Sequence, residues 1–220
     1  IDFMQSSKSI EFDFHEATIS TGLWQAGDSA GRSVLALHGF TGSGADFSAF
    51  SQWAVPAMHL AAPDLPGHGQ YEASVDLGNY GFAAARAVLH ATRGAMGWSQ
   101  SVLLGYSMGA RLALDATLSD PSSVSALVLI SGRPGLALAT ERAAREQWDL
   151  AWAQKIEERG VEAFLDEWQV QPLIATQNRT EEPYLKAMQQ RRRSTRGNGW
   201  AQSLRASGTG VMPSLWDCLE

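Results

Sequence analysis

The stretch that most constrains this chain is Ser101-Val-Leu-Leu-Gly-Tyr-Ser-Met-Gly-Ala-Arg-Leu-Ala-Leu114. An apolar run, Val102 to Leu104, leads directly into Gly105-Tyr106-Ser107-Met108-Gly109, and a helical pattern follows. Strand, tight turn and helix are the setting that a G-x-S-x-G nucleophile elbow requires. Such a turn lifts the Ser107 hydroxyl above the sheet edge and holds its backbone in a strained conformation. Glycine is needed at 105 and 109 because neighbouring chain passes too close for a side chain. The helix starting just after the serine favours negative charge near Ser107, through its free N–H groups and its dipole. The competing reading, a glycine-rich turn with an incidental serine, has the context on both sides against it.

The rest of the chain is consistent with this centre. Residues 9–25 read as two strands joined by a short turn, with Ile10, Phe12 and Phe14 alternating on one face. Ser33 to His38 is a continuous apolar strand running into the glycine-rich loop His38 to Gly44, and Met58 to Ala62 is another, running into Pro63 to Gly69. Gly81 to Ala95 is helical by composition, Arg111 to Leu118 is the helix after the elbow, and Val124 to Ser131 is a sixth strand. Buried strands alternating with helices predict an α/β fold with a mostly parallel sheet covered on both faces.

After Gly132 the pattern changes. From about Pro134 to Ser207 no run is strand-like, and Trp148, Trp152 and Ile156 form an i, i+4, i+8 stripe. The expected organisation is a core over residues 1–133, a helical lid over 134–207, and an incomplete return to the core over 208–220. In that return, Pro213 to Glu220 reads as a helix.

At 220 residues the chain is long enough for one domain with an insertion. No apolar run approaches the roughly 20 residues needed to span a bilayer, and the start, Ile1 to Lys8, lacks the basic-then-apolar order of a signal peptide. Beginning at Ile1 rather than Met, it reads as a cut or processed end. A single cysteine, Cys218, rules out an internal disulfide and a cysteine-rich metal site, and a reducing cytoplasm is the simplest compartment. The net charge of −6 is uneven. Residues 133–207 hold 12 Lys and Arg against 10 Asp and Glu, and the remainder 5 against 13. A locally basic segment on an acidic protein fits a small anionic ligand better than nucleic acid, and no membrane partner is expected.

His38-Gly-Phe40, Asp64-Leu-Pro-Gly-His-Gly69 and Gly105-Tyr-Ser-Met-Gly109 together resemble the α/β-hydrolase superfamily. Five further motifs resemble one branch of it: Gly105-Tyr-Ser-Met-Gly-Ala-Arg111, Gly132-Arg-Pro-Gly-Leu136, Glu141-Arg-Ala-Ala-Arg145, Trp168-Gln-Val-Gln-Pro172 and Gly208-Thr-Gly210. That branch is the 2-succinyl-6-hydroxy-2,4-cyclohexadiene-1-carboxylate synthase family of menaquinone and phylloquinone biosynthesis. The resemblance implies a lyase that eliminates pyruvate from an enolpyruvyl ether on a cyclohexene, with a Ser-His-Asp triad starting proton abstraction. It further implies Ser107 as the triad serine, the N–H groups of Phe40 and Met108 as the oxyanion hole, and Arg111, Arg145 and Arg192 as holders of substrate carboxylates. Tyr106 and Trp168 match pocket residues, and neither a metal nor an organic cofactor is implied.

Each residue also has a plainer reading. Arg111 lies one helical turn from Ser107, where it can face the pocket or be an ordinary surface arginine. Arg145 sits four residues from Glu141 and from Asp149, spacings that alone would make solvated helix pairs. Trp168 reads equally as lid core, Arg191 to Arg193 as a solvated face whose register can slip by one, His68 as structural, and His38 as an organiser of the oxyanion loop. A triad on this fold runs Ser, acid, His in chain order, yet all five histidines, His15, His38, His59, His68 and His90, precede Ser107. Asp217 falls too early to be the acid. The expectation is therefore that acid and base lie beyond residue 220, on a longer protein. Two rival readings stay open, a serine hydrolase acting on an ester, thioester or C–C bond, and a non-catalytic relative.

Overall fold

The computed structural model describes residues 5–14, 17–26, 31–52, 58–71 and 76–219. Its centre is a six-stranded sheet in the order β1-β2-β4-β3-β5-β6. The strands are β1 (Gln5–Phe14), β2 (Ala17–Ala26), β3 (Arg32–Leu37), β4 (Met58–Pro63), β5 (Ser101–Tyr106) and β6 (Val124–Ile130). The first two pair antiparallel, and β2 pairs antiparallel with β4, whereas β4, β3, β5 and β6 run parallel. The expected mostly parallel α/β sheet is therefore present, with an antiparallel pair at one side. The predicted facing of Ile10, Phe12 and Phe14, together with His15, lies outside the described residues.

The inner parallel strands β3 and β4 are continuous apolar runs because both of their faces are covered. On one face, α1 (Phe82–Met96) and α2 (Met108–Ser119) bury Ala85, Leu89, Met108, Leu112 and Ala113 against Leu35, Leu37 and Leu103. The opposite face carries a 3-10 helical segment, Gly44–Gln52, whose Phe47 packs on Val34, Ala36, Leu60 and Ala62. At the β6 edge, Val128, Leu129 and Ile130 remain about two-fifths exposed.

Residues 139–207 are helical, as their periodicity predicts. They form α3 (Ala139–Trp168), the short α4 (Pro172–Ala175), α5 (Glu182–Ser194) and α6 (Asn198–Ser207). A kink at Gly160 (φ 77°, ψ 175°) divides α3, in a backbone region essentially closed to other residues. The turn lets the second arm of α3 fold its Phe164, Leu165 and Trp168 against Ala153 and Ile156 of the first and against Trp200 of α6.

The predicted helix over Pro213 to Glu220 is not formed. Only one 3-10 turn, Trp216–Cys218, is present, and Glu220 lies outside the described residues. The backbone donor that a helix needs is diverted, since Leu215 N–H donates to the Pro134 carbonyl, and Pro213 brings no N–H at all. The segment returns to the core as an extended strap, anchored by buried Met212 and Leu215 beside Leu114.

Candidate active site

Ser107 stands between β5 and α2 with φ 55° and ψ −110°, the strained conformation that its motif predicts. Two close approaches enforce this turn. A side chain at Gly109 would meet the Leu37 carbonyl oxygen at 2.2 Å, and one at Gly105 would meet that of Gly109 at 2.4 Å. Ser107 N–H donates to the Ile130 carbonyl (2.9 Å), which ties the turn to the end of β6. Helix α2 starts at Met108, three residues earlier than periodicity alone gives, so its free N–H groups begin immediately at the serine.

The second wall is the loop after β3. Gly39 lies so close that a side chain there would sit 3.0 Å from the Tyr106 ring and 3.4 Å from Ser107 Cβ. Among the described residues, neither the Phe40 nor the Met108 N–H donates a backbone hydrogen bond. Both therefore remain available to an anion beside Ser107, as an oxyanion hole requires. Among the same residues the Ser107 hydroxyl also has no hydrogen-bond partner.

The two histidines nearby organise this loop, as their sequence positions suggest. His38 Nδ1–H donates to the Gly39 carbonyl (2.8 Å), while its Nε2 accepts from Leu65 N–H (3.0 Å). Burial lowers its pKa, against the opposing pull of that bond and of Asp64. His68 Nδ1–H donates to the Pro66 carbonyl (3.0 Å), and burial, with His38 beside it, pushes its pKa down to about 3. Both rings are neutral props. Asp64, quoted in the motif but given no role there, accepts from Gly44 and Gln70 N–H and so holds the two loops together.

A cavity of about 500 Å³ opens in front of this loop. It is lined by Phe40, Tyr106 and Ile130 on the sheet side and by Tyr184, Met188 and Arg192 of α5. Arg192 is the member of its arginine trio that is buried, and it donates to the side-chain oxygen of Gln177 (2.8 Å). Arg191 pairs instead with Asp46, and Arg193 with Glu162 at the surface. Burial lowers the Arg192 pKa, with Asp46 and Tyr106 opposing that shift. A buried guanidinium whose hydrogen-bond partner is a neutral amide is suited to receive a carboxylate. Periodicity could not separate 191 from 192 or 193; burial singles out Arg192, while Arg191 also lines the cavity.

Ser107, Met108, Arg111, Arg145 and Trp168 are not among the residues that line this cavity. Trp168 is buried in an aromatic cluster, stacked on Phe164 (5.3 Å between centroids) and edge-on to Phe40 (5.3 Å). Arg111 is buried too, and donates to the Ser207 carbonyl (2.9 Å). Burial and the neighbouring Arg145 bring its pKa down to about 10, with Asp149 acting in the opposite sense. Arg145 lies over the Trp148 ring (4.5 Å) and donates through Nε to Asp149 (2.8 Å). Arg192 on α5 thus lines the cavity, while Arg111 of α2 and Arg145 of α3 lie together outside its lining.

Residues 32–205 match the α/β hydrolase fold family. A Bacillus subtilis (strain 168) protein, provisionally named as 2-succinyl-6-hydroxy-2,4-cyclohexadiene-1-carboxylate synthase, is 35% identical over 207 residues, 92% of this chain and 75% of that protein. The synthase of that name from Yersinia pseudotuberculosis (strain YPIII) is 33% identical, over 87% of this chain and 68% of the relative. The chain belongs to this synthase family, within the α/β hydrolase fold. Among solved structures, that of MenH from S. aureus aligns with a TM-score of 0.83 at 28% identity, covering 90% of this chain and 74% of that one. Across such relatives the chain spans 61% to 75% of their length.

Proposed function

We propose that the protein is a lyase that eliminates pyruvate from 2-succinyl-5-enolpyruvyl-6-hydroxy-3-cyclohexene-1-carboxylate, giving 2-succinyl-6-hydroxy-2,4-cyclohexadiene-1-carboxylate in menaquinone biosynthesis. The observation that carries the assignment of Ser107 is the strained elbow beside two undonated N–H groups. The ring C–H next to the succinyl ketone is acidified by that carbonyl. Once a general base, the histidine that the implied triad calls for, has taken the Ser107 hydroxyl proton, the Ser107 oxygen accepts this ring proton and the C–H bond breaks. Its electron pair forms the C2–C3 double bond, the C3–C4 π pair moves to C4–C5, the ring C–O bond at C5 breaks, and the enolpyruvate released takes up a proton at carbon to become pyruvate. Charge that develops on the ketone oxygen is stabilised by the Phe40 and Met108 N–H groups.

The substrate carries three carboxylates, matched in number by the guanidiniums of Arg111, Arg145 and Arg192. We assign them to holding it in a reactive orientation. Tyr106 lines the cavity, and Trp168 backs the Phe40 loop. Residues 134–207 serve as the lid. The enzyme works on a small polyanionic substrate in the cytoplasm, without nucleic acid or membrane.

The test is pyruvate release with the wild-type enzyme and with Ser107→Ala. The alanine variant should fold normally and lose on the order of 10³-fold or more in turnover, because the reactive hydroxyl is gone. Unchanged release would sink the assignment of Ser107. A stoichiometric burst with an activated ester, in the absence of pyruvate release, would favour a serine hydrolase instead.

A further inference from the structure

Asp149 is a carboxylate buried to 2% exposure in the helical segment, and the chemistry proposed above gives it no task. Its Oδ1 accepts from Arg145 Nε (2.8 Å), and its Oδ2 accepts from Gly210 N–H (3.1 Å), so it joins the middle of α3 to the turn that follows α6. Immediately before that turn, the last residue of α6 offers the Ser207 carbonyl, to which Arg111 donates. Arg145 is thereby held on two sides, its Nε edge by Asp149 and one face by the Trp148 ring. Both of its terminal amino groups are left without a hydrogen bond among the described residues. A guanidinium fixed at Nε, with its terminal amino groups unused, has the form that suits a carboxylate.

We propose that Asp149 is a positioning residue for substrate carboxylate binding, acting through Arg145, which it holds in the orientation that receives the anion. The inference rests on the synthase reading of the site. It also predicts an effect opposite in sign to that of charge alone. With Asp149 ionised, the group formed with Arg111 and Arg145 carries a net charge of +1; neutralising it leaves +2. If long-range attraction governed binding, Asp149→Asn would tighten an anion. If orientation governs it, the same change weakens the anion, because the asparagine amide cannot accept at both oxygen positions.

The experiment measures binding of 2-succinylbenzoate, the stable aromatic dicarboxylate formed when the product loses water, by titration calorimetry. Four variants, Asp149→Asn, Asp149→Glu, Arg145→Ala and Asp149→Asn with Arg145→Ala, are compared with wild type, and melting temperatures are recorded for each. Expected are losses of about tenfold for Asp149→Asn and for Asp149→Glu, which keeps the charge but displaces the oxygens. With Arg145→Ala already present, Asp149→Asn should cost less than about twofold more, because coupled residues are non-additive.

Tighter binding by Asp149→Asn, or a tenfold loss that persists without Arg145, overturns the proposal. If Asp149→Asn fails to fold, Asp149→Glu decides alone, and affinity within about twofold of wild type overturns it. Absence of binding by wild type would instead defeat the synthase reading itself.

Discussion

Around Ser107 the chain is held by main chain. Gly109 lies against the Leu37 carbonyl, Ser107 N–H reaches β6, and His38, His68 and Asp64 all bond to backbone groups. Across the cavity, side chains hold side chains. Lys155 and Arg159 of α3 reach across the Gly160 kink to Glu167, Arg205 of α6 pairs with Glu157, and Arg191 pairs with Asp46. Backbone contacts fix a position to fractions of an ångström, because they cannot be repacked. Exposed ion pairs contribute only about 0–1 kcal/mol each and leave an element adjustable. The Ser107 hydroxyl and the Phe40 and Met108 N–H groups thus sit on a rigid scaffold, and the guanidinium of Arg192 on an adaptable one.

Glycine substitutions break this contrast most directly. Gly109→Ala sets a methyl group at 2.2 Å from a carbonyl oxygen that cannot move without distorting β3. We expect loss of about 3 kcal/mol or more, or no folding at all. Gly160→Ala meets nothing within 4 Å, and only the backbone conformation opposes it, at about 1–3 kcal/mol. Thermal or urea unfolding of both variants measures the difference; equal losses would erase the distinction between the two regions.

Acid should attack the sheet side. His68 is neutral and buried in the native state with a pKa near 3, whereas its unfolded value is about 6.5. A depressed native pKa gives stability that is present above pH 6.5 and lost as pH falls toward 3, because the unfolded chain then binds a proton that the native state refuses. The full difference is on the order of 5 kcal/mol. Denaturant titrations at pH 7, 5 and 4 should show that decline, and His68→Gln should flatten it. An unflattened profile would move the acid sensitivity elsewhere.

Arginine substitutions sharpen the contrast within α5. Arg192→Ala should weaken a dicarboxylate by about 10- to 150-fold, from a charge-assisted contact of about 1.5–3 kcal/mol. An uncharged ester analogue should bind almost as before, and equal losses on both would mean that α5 had shifted. Arg193→Ala, by contrast, removes a surface pair with Glu162. It should change stability by less than about 0.5 kcal/mol and leave KM untouched. A large effect there would reassign the register of the trio.

The same contrast explains what could be read in advance. Local rules were enough for the elbow, since glycine at 105 and 109 around a strand-to-helix turn admits few structures. They were enough too for the sheet class and for the helical character of residues 139–207. The C-terminal strap was misread because the bond from Leu215 to Pro134 is long-range and leaves no periodic trace. Asp149 was visible only as the i+4 partner of Arg145, a spacing common on solvated helices. Its burial depends on the turn at Gly208 to Gly210, some sixty residues later. Trp168 could be assigned to core or pocket only once Phe164 and Phe40 were known to touch it.

Phe40 belongs to the sheet loop by its backbone, yet its ring packs into two hydrophobic clusters, that of α1 and α2 and that of Trp168 and Trp200. For engineering by recombination, the exchangeable module is therefore not residues 134–207 alone. A chimera that imported another relative's helices onto this sheet would need that relative's residue at position 40 as well. Without it, the new aromatic cluster would meet a foreign ring, and the N–H group of residue 40 would inherit the mismatch.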